Sequence, residues 1–415
     1  MKSIIRHAKK TIEHLATEYP AVLLIGARQT GKTTLLKKIT EQKSVPYLSF
    51  DDPAEELSAK TDAKTFIEFH PSPFMFDEIQ YVPELFRYLK IEIDKNRTNG
   101  MYFLTGSQQF HLMEATTESL AGRIGIVQLY PFSERELRGD NFSEPFIPTK
   151  EYLLERNSSL LKAKTKFSVQ KTWKSIHRGF FPEAALRKVS QNDFYANYLK
   201  TYIERDIRKL AQVADELQFM QFISVVASRT SQLVNYSDIA SECSISEVTA
   251  KKWLSLLVTS GLVYLLRPYS VNVEKRVVKT PKLYFMDTGL VAYLTKWTNP
   301  EVMQTGAMAG AFFETYAVAE IIKSFANKGL EPPIYFYRDK DKIEIDLLIE
   351  QNGTLFPVEI KKTASPKVDD ARNFFITERI KNIRIGQCVV LCNTDSVVSL
   401  SKNGANAIAV PVEFV

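Results

Sequence analysis

Gly26, Gly31, Lys32 and Thr33 stand at the spacing GxxxxGK[ST], within GARQTGKT at residues 26–33. The chemistry of that spacing is phosphate binding. Two glycines let the backbone curl until successive N–H groups face a β-phosphate. The lysine ammonium reaches β- and γ-oxygens, and the threonine hydroxyl ligates Mg²⁺. The N-terminus of the following helix adds a fixed partial positive charge. Ala27, Arg28, Gln29, Thr30 and Thr34 complete the candidate cradle for ATP. So short a pattern also occurs by chance, as a glycine-rich turn that binds nothing, and its flanks decide. Both required flanks are present: AVLLI (21–25) reads as a buried strand, and KTTLLKKI opens a helix near Lys32.

Asp77 and Glu78 close a second apolar run, FMFDE. An apolar strand ending in Asp-Glu is a Walker B pattern: Asp77 holds Mg²⁺ through its water shell, and Glu78 polarises an attacking water as general base. MYFLTGS (101–107) ends in Thr105, Gly106 and Ser107, with Gln108 next. Polar groups there either sense the γ-phosphate or are ordinary strand-end polarity. Arg123, in SLAGR, is a candidate for neutralising developing phosphate charge across a domain or subunit interface, in cis or in trans. Arg28 could contact nucleotide or a partner.

A second constellation lies near the end of the sequence. EIDLLIEQNGTLFPVEIKK carries Asp346, then Glu359 and Lys361 on the next strand. Strand alternation puts Glu359 and Lys361 on one face, and Asn352-Gly353 is a hairpin turn signal. Glu314, on a preceding helix, would be a third carboxylate. Such acids bind a second Mg²⁺ or Mn²⁺ while the lysine steadies a hydrolytic water. The bland alternatives are a surface hairpin with its charges outward and a related fold that no longer cuts.

The elements that must position these residues divide the chain into an α/β multidomain protein. Residues 1–140 alternate strands and helices as in a mostly parallel sheet, with strands at 21–25, 46–52, 73–78, 101–107 and 125–132. Residues 141–215 read as an α-helical subdomain, a lid. Residues 216–284 follow the order of a winged helix-turn-helix, with Ser237 and Ser246 as N-caps and Gly261 as a C-cap. Its second helix carries Lys251 and Lys252, and its wing gathers Lys275, Arg276, Lys279 and Lys282 as candidate nucleic-acid contacts. Glu247 at the helix start would repel phosphate, and a packing module is the alternative. Residues 285–415 form a final α/β unit, with a helix around 308–327, strands at 334–339, 344–350 and 356–362, a helix near 367–381, then QCVVLC and AIAVPVEFV as late strands.

The 415 residues, 45% hydrophobic and 25% charged, suit a globular protein of several domains. A net charge of +6 is too thinly spread to indicate nucleic acid without local clustering. Cys243, Cys388 and Cys392 form no CxxC pair, so buried thiols in a reducing compartment are expected. No secretory signal and no run of roughly 20 apolar residues is present, which points to a cytoplasmic protein with no membrane partner.

GARQTGKTTLL, FDDP, FMFDEIQYVPELF, FLTGSQQF and SLAGRI, in that order, resemble an AAA-type P-loop ATPase family of bacteria and archaea with a distinctive C-terminal domain of unknown function. The family's usual loop has proline where this chain has Ala27. YIERDI (202–207), YFMDTGLVAYL (284–294) and AFFETYAVAEI (311–321) are similar to its later landmarks, so the resemblance covers nearly the whole chain. It implies ATP and Mg²⁺ and a kinship with STAND and archaeal switch ATPases. The Asp346, Glu359 and Lys361 segment resembles the PD-(D/E)xK pattern of restriction-endonuclease-like nucleases. The expected function is an ATP-hydrolysing switch acting on, or regulated by, nucleic acid. An ATP-regulated metal-dependent nuclease and a non-catalytic STAND-like signalling or scaffold module are the alternatives. DNA, another protein or further copies of the chain would be the partners.

Overall fold

The computed structural model describes residues 4–107, 119–162, 168–186, 190–202, 216–270, 280–339, 341–380, 383–400 and 407–415. YIERDI beyond Tyr202, Gln108 and the wing residues Lys275, Arg276 and Lys279 lie outside that set.

The first unit runs α1 (Ala8–Glu18), β1 (Ala21–Ile25), α2 (Lys32–Glu41), β2 (Tyr47–Ser49), α3 (Pro53–Thr61), α4 (Ala63–Phe69), β3 (Phe74–Asp77), α5 (Leu85–Asn96), β4 (Tyr102–Gly106) and β5 (Ile124–Gln128). All five strands expected from the sequence form. They are parallel, in the order β2-β3-β4-β1-β5. Every residue of β1 is buried, as its unbroken apolar run requires of a strand covered on both faces. Leu23 packs with Phe76 and Leu104 on one face, while Val22 and Leu24 pack with Met75 and Phe103 on the other. Parallel strands present their carboxyl ends on one edge. The loop after β1, Asp77 and Thr105 therefore share that edge, with β4 between β1 and β3.

A helical stretch follows: α6 (Glu134–Arg138), α7 (Lys150–Lys162), α8 (Val169–Arg178), α9 (Pro182–Leu186) and α10 (Gln191–Tyr202). Next come α11 (Glu216–Ser228), β6 (Gln232–Leu233), α12 (Tyr236–Glu242), α13 (Glu247–Thr259), β7 (Val263–Leu266) and β8 (Lys282–Phe285), the strands forming an antiparallel sheet of order β6-β8-β7. Ser246 caps α13 by accepting from Thr249 N. The cap of α12 is Asn235, which accepts from Asp238 N, and not Ser237, which lies inside the helix. Ser260 is the C-cap of α13, and Gly261 follows it at φ 73°.

The last part comprises α14 (Thr288–Leu294), α15 (Pro300–Thr305), α16 (Ala309–Ala326), β9 (Ile334–Arg338), β10 (Glu344–Gln351), β11 (Thr354–Lys361), β12 (Arg384–Ile385), β13 (Cys388–Cys392), β14 (Val398–Ser399) and β15 (Ala407–Pro411). These strands build one mixed seven-stranded sheet. Asn352 and Gly353, both at positive φ, turn β10 into β11 as a two-residue hairpin. The helix expected near 367–381 is a 3₁₀ helix, Val368–Arg379. Its buried residues are Ala371, Phe374, Ile376 and Thr377.

One hydrophobic cluster runs from Phe146 through Trp173, Phe222, Tyr284 and Phe312 to Val415. The helical stretch, the three-stranded sheet and one face of the seven-stranded sheet thus share a core. Among the described residues no helix is long and apolar enough to cross a membrane, and Cys243, Cys388 and Cys392 are free.

Candidate functional site

The loop after β1 is shaped by its two glycines. At Gly26 a Cβ would lie 2.1 Å from the Leu129 carbonyl oxygen, so only glycine lets the β5 continuation pass. Gly31, at φ 91°, starts α2 in a left-handed conformation and offers no side-chain cap. The first-turn N–H groups of α2 are thereby left for a ligand. Lys32 is buried, its ammonium folded onto the Gly26 and Ala27 carbonyls at 3.0 Å each. Arg6 braces the loop from outside, donating to Thr30 O at 2.8 Å, Tyr130 O at 2.7 Å and Glu136 Oε1 at 3.0 Å.

The two acids meet this loop as the sequence spacing predicts. Thr33 Oγ1 donates to both Asp77 oxygens, at 2.8 and 3.1 Å. Thr105 Oγ1 donates to Asp77 Oδ1 and accepts from Glu78 N at 3.1 Å. Ser107 Oγ donates to Glu78 Oε2 at 3.0 Å, and Gln80 Nε2 donates to the same oxygen. Thr105 and Ser107 therefore hold the acids. Tyr47 OH also donates to Asp77 Oδ2, at 3.1 Å. Burial, and then the Asp77 charge, push the Tyr47 hydroxyl up to about 12, so it stays a donor at neutral pH. A hydroxyl and a carboxylate converging as oxygen donors is the set that Mg²⁺ prefers.

A cavity of about 580 Å³ opens over these groups, lined by Arg28, Gln29, Gly31, Lys32, Thr33, Thr34, Glu78 and, from α10, Thr201. A second cavity, of about 730 Å³, shares Gly31 and Thr34 with it. Apolar groups form part of the wall of the second, Ile4, Ile5, Leu35, Phe132 and from α9 Pro182 and Leu186, beside Arg6, Lys9, Lys38, Glu41 and Gln42. The two cavities meet at Gly31 and Thr34. Gln80, Tyr47, Arg6 and Thr201 carry no signal at a recognisable spacing, which is why the sequence reading missed them.

Arg123 is not at this site. It precedes β5 beside the Ala21 end of β1, because Ala21 pairs with Ile124. The phosphate loop leaves the opposite end, roughly 13 Å along the strand. Its guanidinium holds Asp94 of α5 at 2.7 and 3.1 Å.

Of the candidate nucleic-acid contacts, Lys251 and Lys252 are exposed on α13, with the Lys251 ammonium 5.4 Å from the Tyr236 ring centroid. Lys282, expected with the wing residues as a nucleic-acid contact, is instead 4% exposed and paired with Glu314 and Glu344. Burial opposes its charge, but Glu314, Glu344 and Asp346 together outweigh burial and raise its pKa.

The C-terminal acids do come together. Glu314 Oε1 accepts from Tyr284 OH at 2.6 Å and from Lys282 Nζ at 3.2 Å. Lys361 Nζ lies 2.6 Å from Glu359 Oε2 and 3.5 Å from Asp346 Oδ2, which also accepts from Ile360 N at 2.8 Å. Glu359 is 1% exposed and its Oε1 has no hydrogen-bond partner. Burial, then the Asp346 charge, push its carboxyl well above the usual range, and the same two causes raise Glu314. An outward-facing charged hairpin is thus excluded. Among the described residues, however, no three His, Cys, Asp or Glu side chains are arranged to hold a metal ion.

Residues 18–138 match the family described as AAA domain. Residues 169–301 and 309–414 match two domains of unknown function, DUF8612 and DUF4143. An uncharacterized protein of Mycobacterium tuberculosis and one of Mycobacterium bovis are each 24% identical over 365 residues, covering 88% of this chain and 75% of theirs. Among solved structures, a Walker-type ATPase of Pyrococcus abyssi is similar over 69% of this chain and 94% of its own, at 16% identity and a TM-score of 0.44. The RuvB Holliday junction branch migration motor of Thermotoga maritima is similar over 65% and 92%, at 16% identity and a TM-score of 0.30.

Proposed function

From the premise that this chain carries an AAA-type P-loop ATPase domain, we propose that it binds Mg-ATP at residues 26–34 and hydrolyses it. The observation that carries the reading is the convergence of Lys32, Thr33 and Glu78 on one cavity, with Asp77 hydrogen-bonded to Thr33. The triphosphate lies against the N-terminus of α2, and the adenine enters the second cavity beyond Thr34. Thr33 and Asp77 would hold Mg²⁺, which when bound supplies neutralising charge at the β- and γ-oxygens. Lys32 leaves the loop carbonyls for the phosphates. Glu78, fixed by Ser107 and Gln80, takes a proton from the water that attacks the γ-phosphorus, and ADP and phosphate depart. Lys32→Ala should remove nucleotide binding and phosphate release together. Undiminished ATP affinity in a folded Lys32→Ala protein would sink the proposal.

A second reading is favoured by the orphaned, buried Oε1 of Glu359. An unpaired carboxylate oxygen beside Asp346 and Lys361 suits a divalent cation and metal-dependent cleavage of nucleic acid. Lys251 and Lys252 would then contact its phosphates. Asp346→Ala and Glu359→Ala should abolish cleavage while leaving ATP binding untouched. Absence of cleavage by the unmodified protein, across DNA and RNA with Mg²⁺ or Mn²⁺, would end this reading.

A further inference from the structure

Lys282 begins β8 of the three-stranded sheet, yet its ammonium lies among carboxylates of α16 and of the seven-stranded sheet. It sits 3.2 Å from Glu314 Oε1 of α16 and in contact with Glu344 Oε1 of β10. Asp346, two residues along β10, shares the face of Glu344. Across the hairpin, Lys361 takes Asp346 and Glu359. Arg338 reaches Glu344 only at 3.9 Å and is half-exposed. Lys282 therefore occupies Glu314 and Glu344, while Asp346 and the unsatisfied Glu359 are left with one lysine.

We propose that Lys282 is a built-in counter-ion that closes this cluster to divalent cations, and that its withdrawal admits one, with Asp346 and Glu359 among the ligands. The inference rests on the second reading above, that the cluster is a cation site, and adds its regulation. Lys361 alone beside the cation is the arrangement of that reading; a second ammonium, Lys282, in the same buried cluster adds repulsion toward a divalent ion and takes up part of the carboxylate charge that would bind it. Lysine suits the part: a compact charge on a flexible stem can leave by rotation while its strand stays in place. The joint between the sheets sets its position. Tyr269 N donates to Phe336 O at 2.6 Å and Phe336 N to Arg267 O at 3.1 Å, docking the end of β7 on β9.

The test counts bound Mn²⁺ by electron paramagnetic resonance on the nucleotide-free full chain, with Mn²⁺ alone as probe. Lys282→Met should gain one Mn²⁺ per chain, bound about tenfold or more tighter than by the unmodified protein. Adding Glu359→Gln should abolish that gain, and Lys282→Arg, which keeps the charge, should show none. If Lys282→Met does not fold, Lys282→Gln keeps a donor for Glu314 and Glu344 and must show the same gain. No gain in a folded neutral variant overturns the proposal, as does a gain that survives Glu359→Gln. Tight, Glu359-dependent Mn²⁺ binding by the unmodified protein also overturns the lock, but leaves the cation-site reading standing. The two failures are thereby distinguishable.

Discussion

Glu78 stands at φ 54° and ψ 44°, a left-handed conformation that costs a non-glycine residue energy and collects at working sites. In that conformation its carboxylate accepts from Ser107 and Gln80. Ser107→Ala or Gln80→Leu should lower kcat by up to about 100-fold with little change in nucleotide affinity, because they orient a base and touch no nucleotide. Steady-state phosphate release beside a binding titration checks this. The acids themselves were legible, since an apolar run ending in Asp-Glu after a GxxxxGK[ST] loop has one economical chemical reading. Their supports were not: Tyr47 comes from another strand, and the contact of Gln80 depends on a backbone turn that composition does not encode. Elsewhere, burial pushes Glu413 up to about 7 from an ordinary 4.5, against the pull of Arg138. The folded chain holds that proton more tightly than the unfolded one. The associated stability is thus fully present below about pH 4.5 and lost as pH rises through 7. Glu413→Gln should leave Tm unchanged near pH 4 and raise it by a few degrees at pH 8, read by thermal melts.

At the scale of elements, α9 and α10 bring groups to the nucleotide cavities that no motif announces. Pro182 and Leu186 help to wall the second cavity, and Thr201 lines the first. Leu186→Asp should weaken ATP binding by about tenfold, equivalent to about 1.4 kcal/mol of lost apolar contact. Inorganic tripolyphosphate, which has no base, should bind the variant and the unmodified chain alike; equal losses for both ligands would remove α9 from base recognition. The longer strands of both large sheets were readable, because buried apolar runs such as AVLLI, FMF and QCVVLC leave few alternatives; β12 and β14, two residues each, carry too short a pattern and were not. The cap of α12 was misplaced because Asn235 and Ser237 are both good caps, and only backbone geometry chooses. The helix near 367–381 was expected, but its 3₁₀ type was not specified, because a three-residue period over 12 residues differs little from 3.6.

Across the whole molecule, α16 ties the ATPase sheet to the C-terminal sheet. Lys323 Nζ donates to Phe132 O at 2.9 Å, Glu134 N donates to Glu320 Oε2 at 2.7 Å, and Phe146 N donates to Ser324 Oγ at 3.0 Å. Phe132 also lines the second cavity, so the helix that carries Glu314 is bonded to the rim of the nucleotide site. The Lys323–Glu320 pair is nearly inaccessible, at 2% and 4% side-chain exposure. Lys323→Ala should cost about 3–5 kcal/mol by leaving an uncompensated buried carboxylate, seen as a lower denaturation midpoint. None of this was legible, because Glu320 and Lys323 within an apolar helix read equally well as exposed polar positions.

The central claim is that Glu78 activates water at the nucleotide site. Its most direct test is single-turnover phosphate release from Mg-ATP by the unmodified chain and Glu78→Gln, with ATP affinity measured on the same samples. The account predicts retained ATP binding and a rate lowered by about 10²–10⁴-fold, the usual span for loss of a general base. Release at the unmodified rate by Glu78→Gln would contradict it.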